Sequence, residues 1–143
     1  MKHFLELLKR EENNMNKIET VNIEYLNDLV NRNNSNCHIA IIDGKENKDW
    51  DSYIKTIRKI YRFPTIEDNY DGYLDWMTDL SWLGADSFIL IFFNYDELLS
   101  NDLVCRKIIL DKFSDYILPW WDGEVEKYMV GGEKKDFNIF IVE

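Results

Sequence analysis

The chain has 143 residues, of which 45% are hydrophobic and 15% aromatic, enough for one domain with a buried core. Its 17 basic and 27 acidic residues give a net charge of −10, which argues against nucleic acid or an anionic membrane surface as direct ligand, because phosphate binding needs basic residues. The apolar runs, such as residues 87–93, are far shorter than the roughly 20 residues that cross a bilayer.

The negative charge is concentrated in one stretch. Residues 63–105 contain no lysine or arginine, whereas the rest of the chain has nearly equal numbers of basic and acidic residues. Such a concentration opposes folding through self-repulsion and attracts basic partners. The carboxylates of this stretch are Glu67, Asp68, Asp71, Asp75, Asp79, Asp86, Asp96, Glu97 and Asp102.

The N-terminal part is predicted to be helical. Apolar residues at helical spacing predict helices over 3–12 and 22–31, and the polar stretch 31–36 is typical of a loop. The first apolar stretch contains Glu6 and no small-residue cleavage site, so we interpret it as a helix rather than a signal peptide and expect a cytoplasmic protein. Residues 1–37 are therefore predicted to be a helical extension, followed by a domain over 38–143.

Strands and helices alternate in the predicted domain. A strand ends at Asp43-Gly44, and an amphipathic helix that begins near Trp50 ends before Pro64, since the residue before a proline disfavours the helical conformation. Strands separated by helices imply an α/β fold with a parallel sheet. The further predicted elements are a helix over 70–82, a strand over 87–93, one or two helices over 95–118 and a terminal strand over 137–142.

The helix over 70–82 carries most of the functional information. Asp71, Asp75 and Asp79 are spaced by four residues on one side, without basic neighbours in the local sequence. Each such pair of like charges destabilises a helix by a few tenths of a kcal/mol. The pattern fits either an acidic surface paired with distant basic residues or a preformed anionic patch that docks into a basic site. Trp76 and Trp82 lie in the same segment, where they can be interface anchors or packing residues.

Evidence for an enzyme is weak. Asp71 and Asp75 could act as an acid–base pair, but neither His3 nor His38 lies near a nucleophile motif, and no glycine-rich phosphate loop is present. Residues 43–49 begin like a calcium loop but lack the glycine at the sixth position. We predict no catalytic residues, no metal and no cofactor.

Two pairs of residues allow more than one interpretation. Cys37 and Cys105 form no metal-ligand spacing and are expected to be reduced, partly buried thiols. Trp120 and Trp121 either close one end of the core or extend a binding surface.

Several motifs resemble the barstar family of ribonuclease inhibitors. The family's first strand and turn are similar to residues 39–44, its first helix to 50–63 and its terminal strand to 136–142. The most specific part is the segment 69–80, Asn-Tyr-Asp-Gly-Tyr-Leu-Asp-Trp-Met-Thr-Asp-Leu, and 79–83 also follows the pattern of many relatives. The resemblance covers about residues 38–143.

The resemblance implies a fold and a function. The fold is a three-stranded parallel sheet packed by helices, and the activity is 1:1 inhibition of a basic toxin, in which the second helix and the preceding loop plug the ribonuclease active site. By motif, Asp71 and Asp75 match the two interface aspartates, Asp75 being the one placed in the enzyme's phosphate site. Asn69 matches the asparagine before them. A carboxylate-studded helix would then replace RNA phosphates and steer association.

The sequence departs from the family pattern at several positions. The predicted partner-binding surface also includes neighbouring residues. Leu74 stands where the family's namesake has a tryptophan, the loop before the acidic helix is one residue shorter, and an insertion over 119–135 precedes the last strand. These departures favour a toxin other than barnase as the target. A binding module with a non-nuclease partner is the alternative. The added residues are Leu74, Asp79, Asp68, Glu67 and Trp82.

Overall fold

A computed structural model describes residues 16–32, 36–66 and 68–143. Strands and helices alternate along the described chain, with short 3-10 turns and two π-helical stretches between them. The elements are β1 (Ile18–Val21), α1 (Ile23–Arg32), β2 (Cys37–Asp43), α2 (Trp50–Tyr61), α3 (Tyr70–Met77), β3 (Ser87–Phe93), α4 (Leu103–Lys112), α5 (Val125–Tyr128) and β4 (Asp136–Val142).

The strands form one parallel sheet in the order β1-β4-β3-β2. The predicted α/β class and the strands β2, β3 and β4 are confirmed. The sheet has one strand more than the resemblance implied, because β1 adds to β4 with Ile18 opposite Ile139. A strand of four residues is too short to produce a recognisable alternation of polar and apolar side chains in the sequence.

Helix α2 begins and ends as its sequence predicts. Asp49 caps it, accepting a hydrogen bond from the backbone N–H of Ser52 at 2.8 Å. Arg62 follows the last turn in the left-handed conformation (φ 53°), and Pro64 comes two residues later. The chain therefore leaves α2 by a sharp turn that leads into the loop before α3.

The main core lies between the sheet and the helices α2, α3 and α4. Tyr53 of α2 and Tyr73 of α3 are fully buried, and their hydroxyl groups are 2.8 Å apart. Burial raises the pKa of both phenols, so the pair stays neutral and hydrogen-bonded. This contact holds α3 against α2 and orients the outer side of α3 toward solvent.

The opposite face of the sheet is covered by α1. Leu26 is buried there against Val21 of β1, Ile89 and Ile91 of β3, and Phe140 of β4. The predicted helix over 22–31 is thus present as α1, whereas the predicted helix over 3–12 lies outside the described residues. The division of the chain at residue 37 stays a prediction. In the structure, β1 is a strand of the same sheet and α1 packs against its face.

The turn after β2 requires glycine because two loops meet there. A Cβ atom on Gly44 would lie 2.0 Å from the carbonyl oxygen of Asn94. The side chain of Asp43 links the same loops, accepting a hydrogen bond from Asn94 Nδ2 at 2.8 Å. The glycine of the Asp-Gly motif is therefore needed because the backbone at residue 44 lies close to the backbone at residue 94.

The region predicted to hold one or two helices begins with a 3-10 turn, Tyr95–Glu97, and an irregular loop before α4. Leu99 adopts a left-handed conformation (φ 52°), and Asp102 then caps α4 by accepting from the N–H of Cys105 at 3.0 Å. The helix continues as the π-helical stretch Phe113–Ile117. None of the helices in the described ranges is both long and apolar enough for a membrane span.

Candidate functional site

The acidic helix α3 begins at a well-formed cap. Asn69 accepts a hydrogen bond from the backbone N–H of Gly72 at 2.7 Å, and Asp71 lies in the first turn. Both features stabilise the helix start, the first by satisfying a free N–H group and the second through the helix dipole. Asn69 therefore has a structural function that is independent of any partner.

Helix α3 ends at Met77, five residues before the predicted end at residue 82. The hydroxyl group of Thr78 bonds to the carbonyl oxygen of Leu74 at 2.7 Å, and Leu80 adopts a left-handed conformation (φ 52°). Asp79 then accepts from the N–H of Ser81 at 3.1 Å. The prediction that Asp79 continues the helix is wrong, because these local bonds favour a turn over another helical turn.

The two sides of α3 differ sharply in burial. Tyr73 and Met77 are fully buried in the core, whereas Asp71 and Asp75 are exposed on the outer side. Within the described part of the chain, no lysine, arginine or histidine side chain lies within 4 Å of either carboxylate. The alternative that distant basic residues neutralise this face is therefore not realised by the residues described.

Asp75 occupies a position that is unfavourable for the helix. It lies in the last turn, where the helix dipole disfavours a negative charge by about 0.3–1 kcal/mol, and α3 has no basic residue there. Repulsion from Asp71 four residues earlier adds a few tenths of a kcal/mol. Among the described residues, none thus offsets the charge of Asp75.

The loop before α3 is held in place by Asp68. Its carboxylate forms an ion pair with Arg58 of α2, and its carbonyl oxygen accepts from the indole N–H of Trp50 at 2.8 Å. Asp68 is therefore partly neutralised, whereas no basic residue in the described ranges forms an ion pair with Asp71 or Asp75. The predicted site residue Glu67 lies outside the described residues.

Ile66, in the same loop, was missed by sequence reasoning. Its side chain is 82% exposed in the loop that precedes the acidic helix. A single apolar residue in a loop has no periodicity that would indicate its exposure, so only the structure identifies it. An exposed isoleucine beside a charged surface is suited to an apolar contact with a partner.

The tryptophans of this segment connect the elements around α3. Trp76 donates to the hydroxyl oxygen of Thr65 at 3.1 Å, and Trp82 donates to the carbonyl oxygen of Tyr61 at 2.8 Å. The two indole rings pack edge to face with centroids 5.4 Å apart. Both side chains are half-buried, as is Leu74, so packing contributes to their role.

The insertion over 119–135 lies beside the C-terminal end of α3. Trp121 is buried in the core, whereas Trp120 is half-buried and lines a groove of about 480 Å³ together with Asp75 and Asp79. The core interpretation thus holds for Trp121, and Trp120 takes part in both the core and the surface. Nothing in the sequence indicated that this insertion would meet the acidic residues.

The chemistry of the described residues is that of a binding surface. These residues include no group of three or more His, Cys, Asp and Glu side chains arranged to hold a metal ion. Cys37 and Cys105 are free thiols, and burial raises the pKa of Cys105, which makes it a poor nucleophile. What the site does present is a set of exposed carboxylates on a rigid helix.

Comparison with known proteins identifies the family. A family model described as "Barstar (barnase inhibitor)" matches residues 37–141, which is most of the chain. No curated protein and no solved structure gave a significant match. The matched range includes β2, α2, the acidic helix α3, β3 and all of β4 except its last residue. The chain therefore belongs to the barstar family, a family of barnase inhibitors.

Proposed function

We propose that this protein is an immunity protein, a cytoplasmic inhibitor that binds a toxic ribonuclease 1:1 and occludes its active site with α3. A ribonuclease needs a basic site to hold RNA phosphates, and carboxylates on a helix can take the place of those phosphates. Family membership supports inhibition in general, and the departures from the family pattern favour a target other than barnase.

One observation carries the proposal. Asp71 and Asp75 are exposed, unpaired by the described basic residues and, in the case of Asp75, placed where the helix dipole opposes a negative charge. An arrangement that costs folding stability is best explained by a gain in binding, as in many functional sites. In the complex, the basic residues of the enzyme would supply the missing counter-charges.

The other proposed contact residues are expected to contribute to partner binding in different ways and to different extents. Asp79 extends the acidic surface beyond the helix, while Leu74 and Trp82 form its half-buried apolar part. Asp68 is expected to contribute less, since Arg58 already neutralises it. Asn69 positions Asp71 by capping the helix, and Glu67 belongs to the proposal on the sequence alone.

A pull-down from the lysate of the source cell tests the proposal. The wild-type chain is compared with the double variant Asp71→Ala, Asp75→Ala. Asp96→Ala, Asp115→Ala serves as the control, because it removes two other exposed charges. Captured proteins are then assayed for nuclease activity, free and bound.

The outcomes separate the candidate functions. Capture of a basic ribonuclease by the wild type and the control, its loss in the double variant and its silencing in the complex would support the proposal. A partner without nuclease activity, or one held equally by all three proteins, would favour a binding module on the same fold. Association that slows as salt rises is expected for the inhibitor.

A further inference from the structure

A groove separates the end of the acidic helix from the insertion that precedes β4. It has a volume of about 480 Å³, which is within the range of sites that bind small molecules or single side chains. One wall is formed by α3 and the turn after it, and the other by α5 and the chain that follows. Its lining includes Asp75, Thr78, Asp79, Trp120, Met129 and Glu133.

The insertion wall is held by hydrogen bonds, so the groove exists before any partner binds. The indole N–H of Trp121 donates to the carbonyl oxygen of Met77 at 2.9 Å. The backbone N–H of Lys135 donates to the backbone carbonyl oxygen of Trp121 at 2.9 Å. A Cβ atom on Gly132 would lie 2.5 Å from the carbonyl oxygen of Val125, so the turn needs this glycine. Such preorganisation reduces the entropy lost on binding.

The charges around the groove favour a cation. Asp75 and Asp79 on the first wall and Glu133 on the second supply three carboxylates, against one ammonium group from Lys135. The ammonium group of Lys135 donates to the carbonyl oxygen of Ala85 at 2.6 Å and lies beyond 4 Å from any described carboxylate. The described residues thus give the groove an excess of negative charge.

The rim on the insertion side is apolar. Met129 is 55% exposed and lines the groove, while Val130, the next residue, is completely exposed. Trp120 supplies an aromatic surface inside the groove. A ligand for this site therefore needs an aliphatic part that contacts methionine and tryptophan as well as a positively charged end.

We propose that the groove binds an arginine side chain of the inhibited enzyme, with its methylene groups against Met129 and Trp120 and its guanidinium group facing the carboxylates. Arginine is favoured over lysine because a guanidinium group is weakly hydrated, stacks on aromatic rings and pairs with two carboxylate oxygens at once. The inference rests on the proposed function and adds a second contact, continuous with the acidic helix through Asp75. It gives the insertion a role in selecting the partner.

A small probe tests the groove without the toxin. Full-length protein labelled with nitrogen-15 is titrated with N-acetyl-arginine methylamide, and the signals of the Trp120 indole and the Gly131 and Gly132 amides are followed. We expect saturable shifts with a Kd of about 1 to 20 mM. The lysine analogue should bind more weakly, and the neutral citrulline analogue at least about fivefold more weakly.

Matched variants locate the binding site. Glu133→Gln should weaken arginine binding at least about threefold, whereas Glu124→Gln, in the same insertion but outside the groove, should leave it unchanged. Shifts that do not saturate, equal binding of arginine and citrulline analogues, or lysine binding as tightly as arginine would overturn the inference.

The complex provides a second test that separates this inference from the proposed function. With the captured nuclease, the double variant Met129→Ser, Glu133→Gln should raise Kd at least about fivefold, and Glu124→Gln should not. If Asp75→Asn weakens the complex but the groove variant does not, the groove inference is overturned and the proposed function stands. If no nuclease is captured, the proposed function fails, and the arginine titration alone decides whether the groove binds a cation.

Discussion

Trp121 donates its indole N–H to the carbonyl oxygen of Met77, the last residue of the acidic helix, at 2.9 Å. The bond joins residues 44 positions apart and is buried. It satisfies a carbonyl group that the helix end would otherwise leave without a partner. The insertion and the acidic helix are therefore positioned relative to each other by a direct contact.

Trp121→Phe removes this bond while keeping most of the apolar packing. We expect the free energy of unfolding to fall by about 1–3 kcal/mol, because a buried carbonyl oxygen loses its donor and a smaller ring leaves space. Urea denaturation followed by far-UV circular dichroism measures the loss. Tyr128→Phe, which changes an exposed ring in the same insertion, should be neutral, and equal stability of both variants would show that the bond is unimportant.

Asp75→Asn should change stability and binding in opposite directions. The free protein should gain about 0.5 kcal/mol, because repulsion from Asp71 and the unfavourable interaction with the helix dipole disappear. The complex should lose about 2–5 kcal/mol, the usual cost of truncating one partner of a buried, hydrogen-bonded charge pair at an interface. Denaturation and titration calorimetry measure the two effects. A loss of affinity below about 0.5 kcal/mol would remove Asp75 from the proposed site.

Asp71→Ala and Asp79→Ala should differ, although the sequence alone predicts that neither destabilises the fold. For Asp71 the lost dipole interaction and the relieved repulsion nearly cancel, so stability should change by less than about 0.5 kcal/mol. Asp79→Ala should cost about 0.5–1 kcal/mol, because Ser81 loses the acceptor for its N–H. Asp79→Asn, which keeps the acceptor, is the control. Greater destabilisation by Asp71→Ala than by Asp79→Ala would contradict the role of the turn.

His38 should make stability depend on pH. Burial lowers its pKa below 6.5, and the ring nitrogen Nε2 lies 3.1 Å from the carbonyl oxygen of Ile60. Since that oxygen can only accept, Nε2 carries the proton. The nitrogen Nδ1 is buried and has no partner among the described residues, so protonation would add an unsatisfied donor.

The direction of the effect follows from proton binding. Below pH 6.5 the unfolded chain binds more protons at this residue than the folded chain. The contribution of neutral His38 to the free energy of unfolding is therefore complete above pH 6.5, and it is lost as the pH falls through the lower pKa of the folded state. When the pH is lowered from 7.5 to 5.5, the urea midpoint of unfolding should fall less in His38→Gln than in the wild type. The same fall in both proteins would show that other groups are responsible. The difference should be small, because the ring is only partly buried.

Local sequence patterns were sufficient for much of the fold and for the centre of the site. Helical spacing placed α2 and the acidic side of α3, and apolar runs placed β2 and β3, because each pattern repeats within a few residues. The concentration of carboxylates without basic neighbours located the acidic surface around Asp71 and Asp75. These properties are encoded within short windows, so they do not depend on where the rest of the chain lies.

The sequence by itself thus determined the α/β class and the acidic helix, and it did so through spacing and charge. Only the tertiary structure decided which carboxylates remain unpaired, since Arg58 reaches Asp68 but no described cation reaches Asp75. It also decided that β1 joins β4 and that the insertion forms a groove beside α3. These features arise from contacts between residues distant in the chain, and a single sequence has no local pattern that records such contacts.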